Sequence, residues 1–134
     1  MMKVRTLLKD AWHICAICND RGDDPIQQMG LSADEDAIFL AFLERIAANG
    51  PKVLASNRNH QVNEDPKIIQ FTFGGNVGRL LYFYDRDRVV VICNAFRKRG
   101  GKSGATPRDK VKDAAQAYRE YFALKESGKI QLVE

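Results

Sequence analysis

Residues 67–99 read KIIQFTFGGNVGRLLYFYDRDRVVVICNAFRKR, and this stretch constrains the fold more than any other. Three runs dense in β-branched and aromatic residues, Ile68 to Phe73, Arg79 to Tyr84 and Val89 to Phe96, are separated by Gly74-Gly75-Asn76 and Asp85-Arg86-Asp87. Runs of that length and composition form strands and the short separators form turns, so the stretch predicts a three-stranded antiparallel meander. Basic residues stand at its strand ends: Arg79 opens the middle strand and Arg97-Lys98-Arg99 closes the last. A small sheet that holds arginines and lysines against the phosphates of RNA is the expectation.

The remaining elements are read outward from the meander. Ser32 followed by Glu35 is a capping box, in which the hydroxyl accepts from a free amide and the carboxylate reaches back. Ile38, Phe39, Phe42, Leu43 and Ile46 then fall on one helical face that ends at Asn49-Gly50-Pro51. Pro25 to Met29 adds a helical turn before it, giving a helical hairpin to cover one sheet face. Thr106-Pro107 opens a last helix, with Val111, Ala114, Ala115, Tyr118, Tyr121 and Phe122 as its apolar stripe and Gly128 at its end. Residues 1–10 fit a helical stripe as well as a strand, the alternation from Ala11 to Cys18 favours a strand, and Lys129 to Glu134 is a short strand or a free tail. The 134 residues make one α+β domain, with 1–10 and 127–134 as extensions.

Charge divides the chain. Residues 1–66 carry 7 Lys/Arg against 10 Asp/Glu, whereas residues 67–134 carry 14 against 7, so a net −3 half precedes a net +7 half. A basic half in one domain is the footprint of a polyanion binder. No apolar run approaches the roughly 20 residues that span a bilayer, and the N-terminus lacks a signal-peptide pattern, so the expected location is cytoplasmic with no membrane partner. Cys15, Cys18 and Cys93 lack the second motif that a zinc site needs, and no redox βαβ pattern surrounds them; they read as small buried hydrophobes on strands. No cofactor or metal is implied.

Two polar segments flank the meander. Residues 51–66 read as a loop that carries Arg58 and His60, the latter able to transfer protons near neutrality. Residues 99–106 are a glycine-rich loop with Arg99 and Lys102, whose order does not fit a nucleotide-binding P-loop. Arg58, Arg99, Lys102 and Arg108 are the further candidates for RNA contact. Asp85 and Asp87 read as turn residues.

Four stretches in order resemble the RelE/HigB superfamily of bacterial toxins, in particular its phage-related HigB-like branch. They are Ile17 to Ile26 with its Gly22-Asp23-Asp24-Pro25 turn, Phe42 to Pro51, Gly78 to Tyr84 with Arg79 and Tyr82, and Asn94 to Lys98. The resemblance covers about residues 11 to 125. It implies a βααβββα layout, an antiparallel sheet with helices on one side, and metal-independent cleavage of mRNA on the ribosome. It also implies a cognate antitoxin, of helix-turn-helix type, that silences the activity. By the same resemblance Arg79 contacts the scissile phosphate, and Arg97 and Lys98 stabilise transition-state charge. His60 has no counterpart by spacing, although a loop histidine or lysine before the sheet is catalytic in some branches, so the base is His60, a lysine with a lowered pKa, or no strong base at all. The interval from Phe96 to Pro107 is longer than in the family, and the tyrosine of the last helix start has no match. A related branch inhibits DNA gyrase instead, so the alternative function is binding of another target, or only of a partner protein, without RNase activity.

Overall fold

Runs of β-branched and aromatic residues build the predicted meander, and the described residues add four strands to it. The computed structural model describes residues 1–51, 59–62, 65–73, 78–97 and 108–133. In chain order the elements are β1 (Met2–Lys9), β2 (His13–Cys18), α1 (Pro25–Met29), α2 (Ala33–Asn49), β3 (Asn59–Val62), β4 (Asp65–Phe73), β5 (Gly78–Asp85), β6 (Val89–Arg97), α3 (Arg108–Glu126) and β7 (Ile130–Val133). The expected βααβββα order is β2-α1-α2-β4-β5-β6-α3, and β1, β3 and β7 extend it. All seven strands form one sheet in the order β3-β4-β5-β6-β2-β1-β7. Its pairs are antiparallel except β2 with β6 and β1 with β7.

Two sequence expectations change. Residues 1–10 form a strand paired with β2, and β2 itself starts at His13 rather than Ala11 because Asp10 N donates to Trp12 O and Trp12 N to Ala47 O, closing a turn. The segment 51–66 is not a continuous loop: Asn59–Val62 pairs with β4, placing the His60 backbone opposite Gln70. The four residues Asn-His-Gln-Val lack apolar alternation, which an edge strand does not require.

The sheet is covered on both faces, not on one. Phe39, Leu43 and Ile46 of α2 pack with Ile14, Phe71, Leu80, Tyr82 and Ile92 on one face. Val111, Ala114 and Tyr121 of α3 pack with Cys15, Ile68, Leu81, Phe83 and Val91 on the other. That is why β5 is apolar at successive positions rather than at alternate ones. Phe83 meets Tyr118 at 5.0 Å, Tyr121 at 5.3 Å and Phe122 at 5.8 Å between ring centroids. Such pairs add about 0.5–1.5 kcal/mol each beyond the area they bury.

Caps and one carboxylate fix the helices. The expected Ser32–Glu35 capping box forms at α2, and the structure adds a second, Asp24 with Gln27, at α1. Asp85, at the end of β5, accepts from Tyr121 Oη at 2.6 Å and from Lys125 Nζ at 2.6 Å. Burial pushes the Asp85 carboxyl up, but the hydrogen bonds from Lys125, Tyr121 and the Arg86 amide outweigh it and hold the group below its ordinary value. Asp85 is therefore a turn residue that also anchors α3.

The expectation of small buried hydrophobes holds for Cys15, while Cys18 and Cys93 are half-buried. Cys15 is buried on β2, and Cys18, three residues on, points to the opposite face by strand alternation. Burial pushes the Cys15 and Cys93 thiols up to about 12 and also raises Cys18. They are protonated at neutral pH. Among the described residues no helix is long and apolar enough to cross a membrane.

Candidate nucleic-acid interface

The order of pairing decides which basic side chains share a surface. Residues directly opposite on neighbouring strands point to the same face, and successive residues on one strand point to opposite faces. Arg79 pairs with Thr72 on β4 and with Phe96 on β6, while Arg97 pairs with Gly78. Phe96 packs into the cluster on the α3 side. Arg79 and Arg97 therefore stand on opposite faces of the sheet, and the expected convergence of both on one phosphate does not follow from the register.

On the α3 face, Arg79 is buried, at 5% exposure, at the start of a central strand. Lys110, in the first turn of α3, lies over the Phe96 ring at 5.8 Å from its centroid. Lys67, at the near end of β4, lies over the Tyr118 ring at 5.2 Å. Arg108 is the first residue of α3 and is exposed. The result is a cationic surface interleaved with aromatic rings, the composition that grips phosphates while offering flat faces on which bases stack. Lys110 and Phe96 were not singled out from the sequence. Their spacing carries no motif, and only the packing of α3 on β6 joins them.

On the α2 face, Arg97 is half-exposed and its guanidinium forks onto Glu35, with Nη1 to Oε2 at 3.0 Å and Nη2 to Oε1 at 3.2 Å. Nη2 also donates to the Gly30 carbonyl at 3.4 Å. Glu35 simultaneously accepts from the Ser32 amide at 2.9 Å as part of the α2 cap. The Arg97 hydrogen bonds, then the Ser32 amide, hold the Glu35 carboxyl down at about 2, and the same partnership raises Arg97. One carboxylate thus caps a helix and engages the cation at the end of the meander.

The other expected positions divide by placement. His60 lies on β3, and strand spacing puts its Cα about 12 Å from that of Arg79, two strands over and two residues along. Arg58, Lys98, Arg99 and Lys102 lie outside the described residues.

Comparison with known proteins supplies a family. No curated protein matches the chain. A family model described as "Phage derived protein Gp49-like (DUF891)" matches residues 29–119, which run from the end of α1 through both helical layers and the meander into α3. With most of the sheet and the whole Arg79–Phe96–Lys110 surface inside that match, the chain belongs to the phage-derived Gp49-like family.

Proposed function

We propose that the protein is the toxin of a type II toxin-antitoxin pair and cleaves mRNA on the ribosome without a metal, as its resemblance to the RelE/HigB toxins implies. The observation that carries the reading is the α3 face, where Arg79 sits in register with Phe96 beneath Lys110 in the basic half of the chain. In the reaction, a ribose 2′-oxygen bonds to the adjacent phosphorus and the bond from phosphorus to the 5′-oxygen breaks, its electron pair leaving on the 5′-oxygen, which takes a proton from water. The products are a 2′,3′-cyclic phosphate and a 5′-hydroxyl. The pentacoordinate intermediate carries more charge on its equatorial oxygens than the substrate does, so a fixed guanidinium binds it more tightly than the ground state. Arg79 has that role, because its planar fork matches two phosphate oxygens. Lys110, Arg108 and Lys98 hold the flanking phosphates, Phe96 stacks a base, and His60 takes the 2′-hydroxyl proton. Arg97 acts in the structure, tying β6 to α2 through Glu35. A helix-turn-helix antitoxin silences the protein by covering the basic face.

The test is incubation of purified protein with translating ribosomes and end-labelled mRNA in the presence of a chelator. Discrete products ending in a cyclic phosphate support the reading. Intact mRNA, alongside inhibition of DNA gyrase by the same preparation, transfers the protein to the alternative class.

A further inference from the structure

The pairing of β2 with β6 stops at Ala16 with Ile92, while β6 continues to Arg97. Just beyond that point the β5–β6 register shifts between Leu81 and Tyr82, because Cys93 is an extra residue in β6. A bulge bends its strand and re-aims the side chains around it. Between the splayed ends of β2 and β6 and the flank of α1 a cleft of about 220 Å³ opens, lined by Ile17, Cys18, Asn19, Pro25, Gln28, Cys93, Asn94 and Ala95.

Three features of this cleft define its ligand. Among the described residues its lining contains no charged side chain, so these walls are not built for a phosphate. Three of its side chains are amides, which present a donor and an acceptor side by side and match the edges of nucleobases. The Asn19 carbonyl oxygen is already taken by the Arg21 and Asp23 amides, and the Gln28 amide nitrogen by the Asp23 carbonyl. These two therefore still offer a donor and an acceptor respectively, beside the complete amide of Asn94. The volume corresponds to about seven waters at roughly 30 Å³ each, the scale of one flat heterocycle.

Position joins the cleft to the proposed phosphate site. Asn94 is opposite Leu81 and Phe96 is opposite Arg79, so Asn94 shares the α3 face with Arg79, while Gln28 belongs to α1, whose Ile26 and Met29 pack in the α2-face cluster. Strand geometry puts their Cα atoms about 8 Å apart, within the span of side chains that touch the base and the phosphate of one nucleotide. We infer that the cleft between β2, β6 and α1 is a base-reading pocket, in which Asn94, with Gln28, selects the nucleotide presented to Arg79. This rests on the ribonuclease reading for its consequence but not for its binding.

The experiment titrates ¹⁵N-labelled protein with AMP, CMP, GMP, UMP and, as the control without a base, ribose 5-phosphate. The inference predicts amide shifts at Asn94, Ala95 and Gln28, with one nucleotide bound at least tenfold more tightly than ribose 5-phosphate. Asn94→Ala removes about tenfold of that preference. If Asn94→Ala does not fold, Gln28→Ala, at an exposed position of α1, decides by the same loss. Equal binding of ribose 5-phosphate, shifts confined to other residues, or an unchanged preference in the folded variant overturns it. The same preparations are assayed for mRNA cleavage. Nucleotide selection without cleavage leaves the pocket standing and removes the ribonuclease reading, whereas cleavage without selection does the reverse.

Discussion

Gly50 ends α2 with φ 88° and ψ 163°, a region that is essentially closed to residues with a Cβ. A Cβ built there meets the Trp12 ring at 2.8 Å from Nε1, 3.0 Å from Cε2 and 3.2 Å from Cζ2. The ring has little freedom to retreat, since the Trp12 amide donates to Ala47 O at 2.8 Å and the indole packs on Tyr84 at 6.0 Å between centroids. Gly50→Ala therefore incurs two costs: about 1–3 kcal/mol for the backbone region and about 1–3 kcal/mol for the overpacked contact. Together they amount to about 2–6 kcal/mol, a large fraction of the roughly 5–15 kcal/mol by which a domain is stable. At this chain length the melting temperature falls by about 8–24 °C. Urea unfolding of Gly50→Ala in the wild-type and Trp12→Ala backgrounds separates the costs, because only the contact vanishes when the indole is absent. The expected coupling is about 1–3 kcal/mol. A Gly50→Ala protein within about 0.5 kcal/mol of wild type, or an equal loss in both backgrounds, refutes the geometry on which the estimate stands.

Three further outcomes follow from the contacts. Tyr121→Phe removes a hydrogen bond to the carboxylate of Asp85 and destabilises by about 1–3 kcal/mol in a denaturant melt, with the difference present above the ordinary aspartate pKa and shrinking as pH falls. The Glu35 carboxyl, at about 2 in the folded chain against an ordinary 4.5, favours folding above about 4.5 and loses that contribution as pH falls towards 2; in Arg97→Ala its NMR titration midpoint moves up towards 4.5. An unmoved midpoint contradicts the Arg97–Glu35 pair. Lys110→Ala lowers the slope of log affinity for single-stranded RNA against log salt by about 0.7, the loss of one phosphate contact, and leaves unfolding in urea nearly unchanged.

Local signals were legible in the sequence, and pairings between distant residues were not. The Ser32–Glu35 cap, the meander and the apolar stripe of α3 all depend on neighbours within one or two turns, and all are present. The first strand was ambiguous because Val4, Leu7 and Leu8 satisfy a helical spacing as readily as a strand; the pairing with β2 and β7 decides it. The edge strand around His60 has too little apolar pattern to announce itself. The site suffered most from this limit. Arg79 and Arg97 both mark strand ends in the sequence, but which face each takes depends on register and on the extra residue at Cys93. Glu35 is visible as a cap three residues from Ser32, whereas its bond to Arg97 spans 62 residues. The aromatic and cationic contacts of Phe96 and Lys110 likewise exist only once α3 has packed.

The central claim is that the α3 face, centred on Arg79, carries the chemistry while Arg97 serves the fold. Its most direct test is inducible expression in a bacterium with mapping of mRNA 5′ ends, comparing wild type, Arg79→Ala and Arg97→Ala at matched soluble levels. The account predicts new 5′-hydroxyl ends within coding regions for wild type, a loss of about 100-fold or more for Arg79→Ala, and a loss of less than about tenfold for Arg97→Ala. Undiminished cleavage by Arg79→Ala, or equal losses in the two variants, contradicts it.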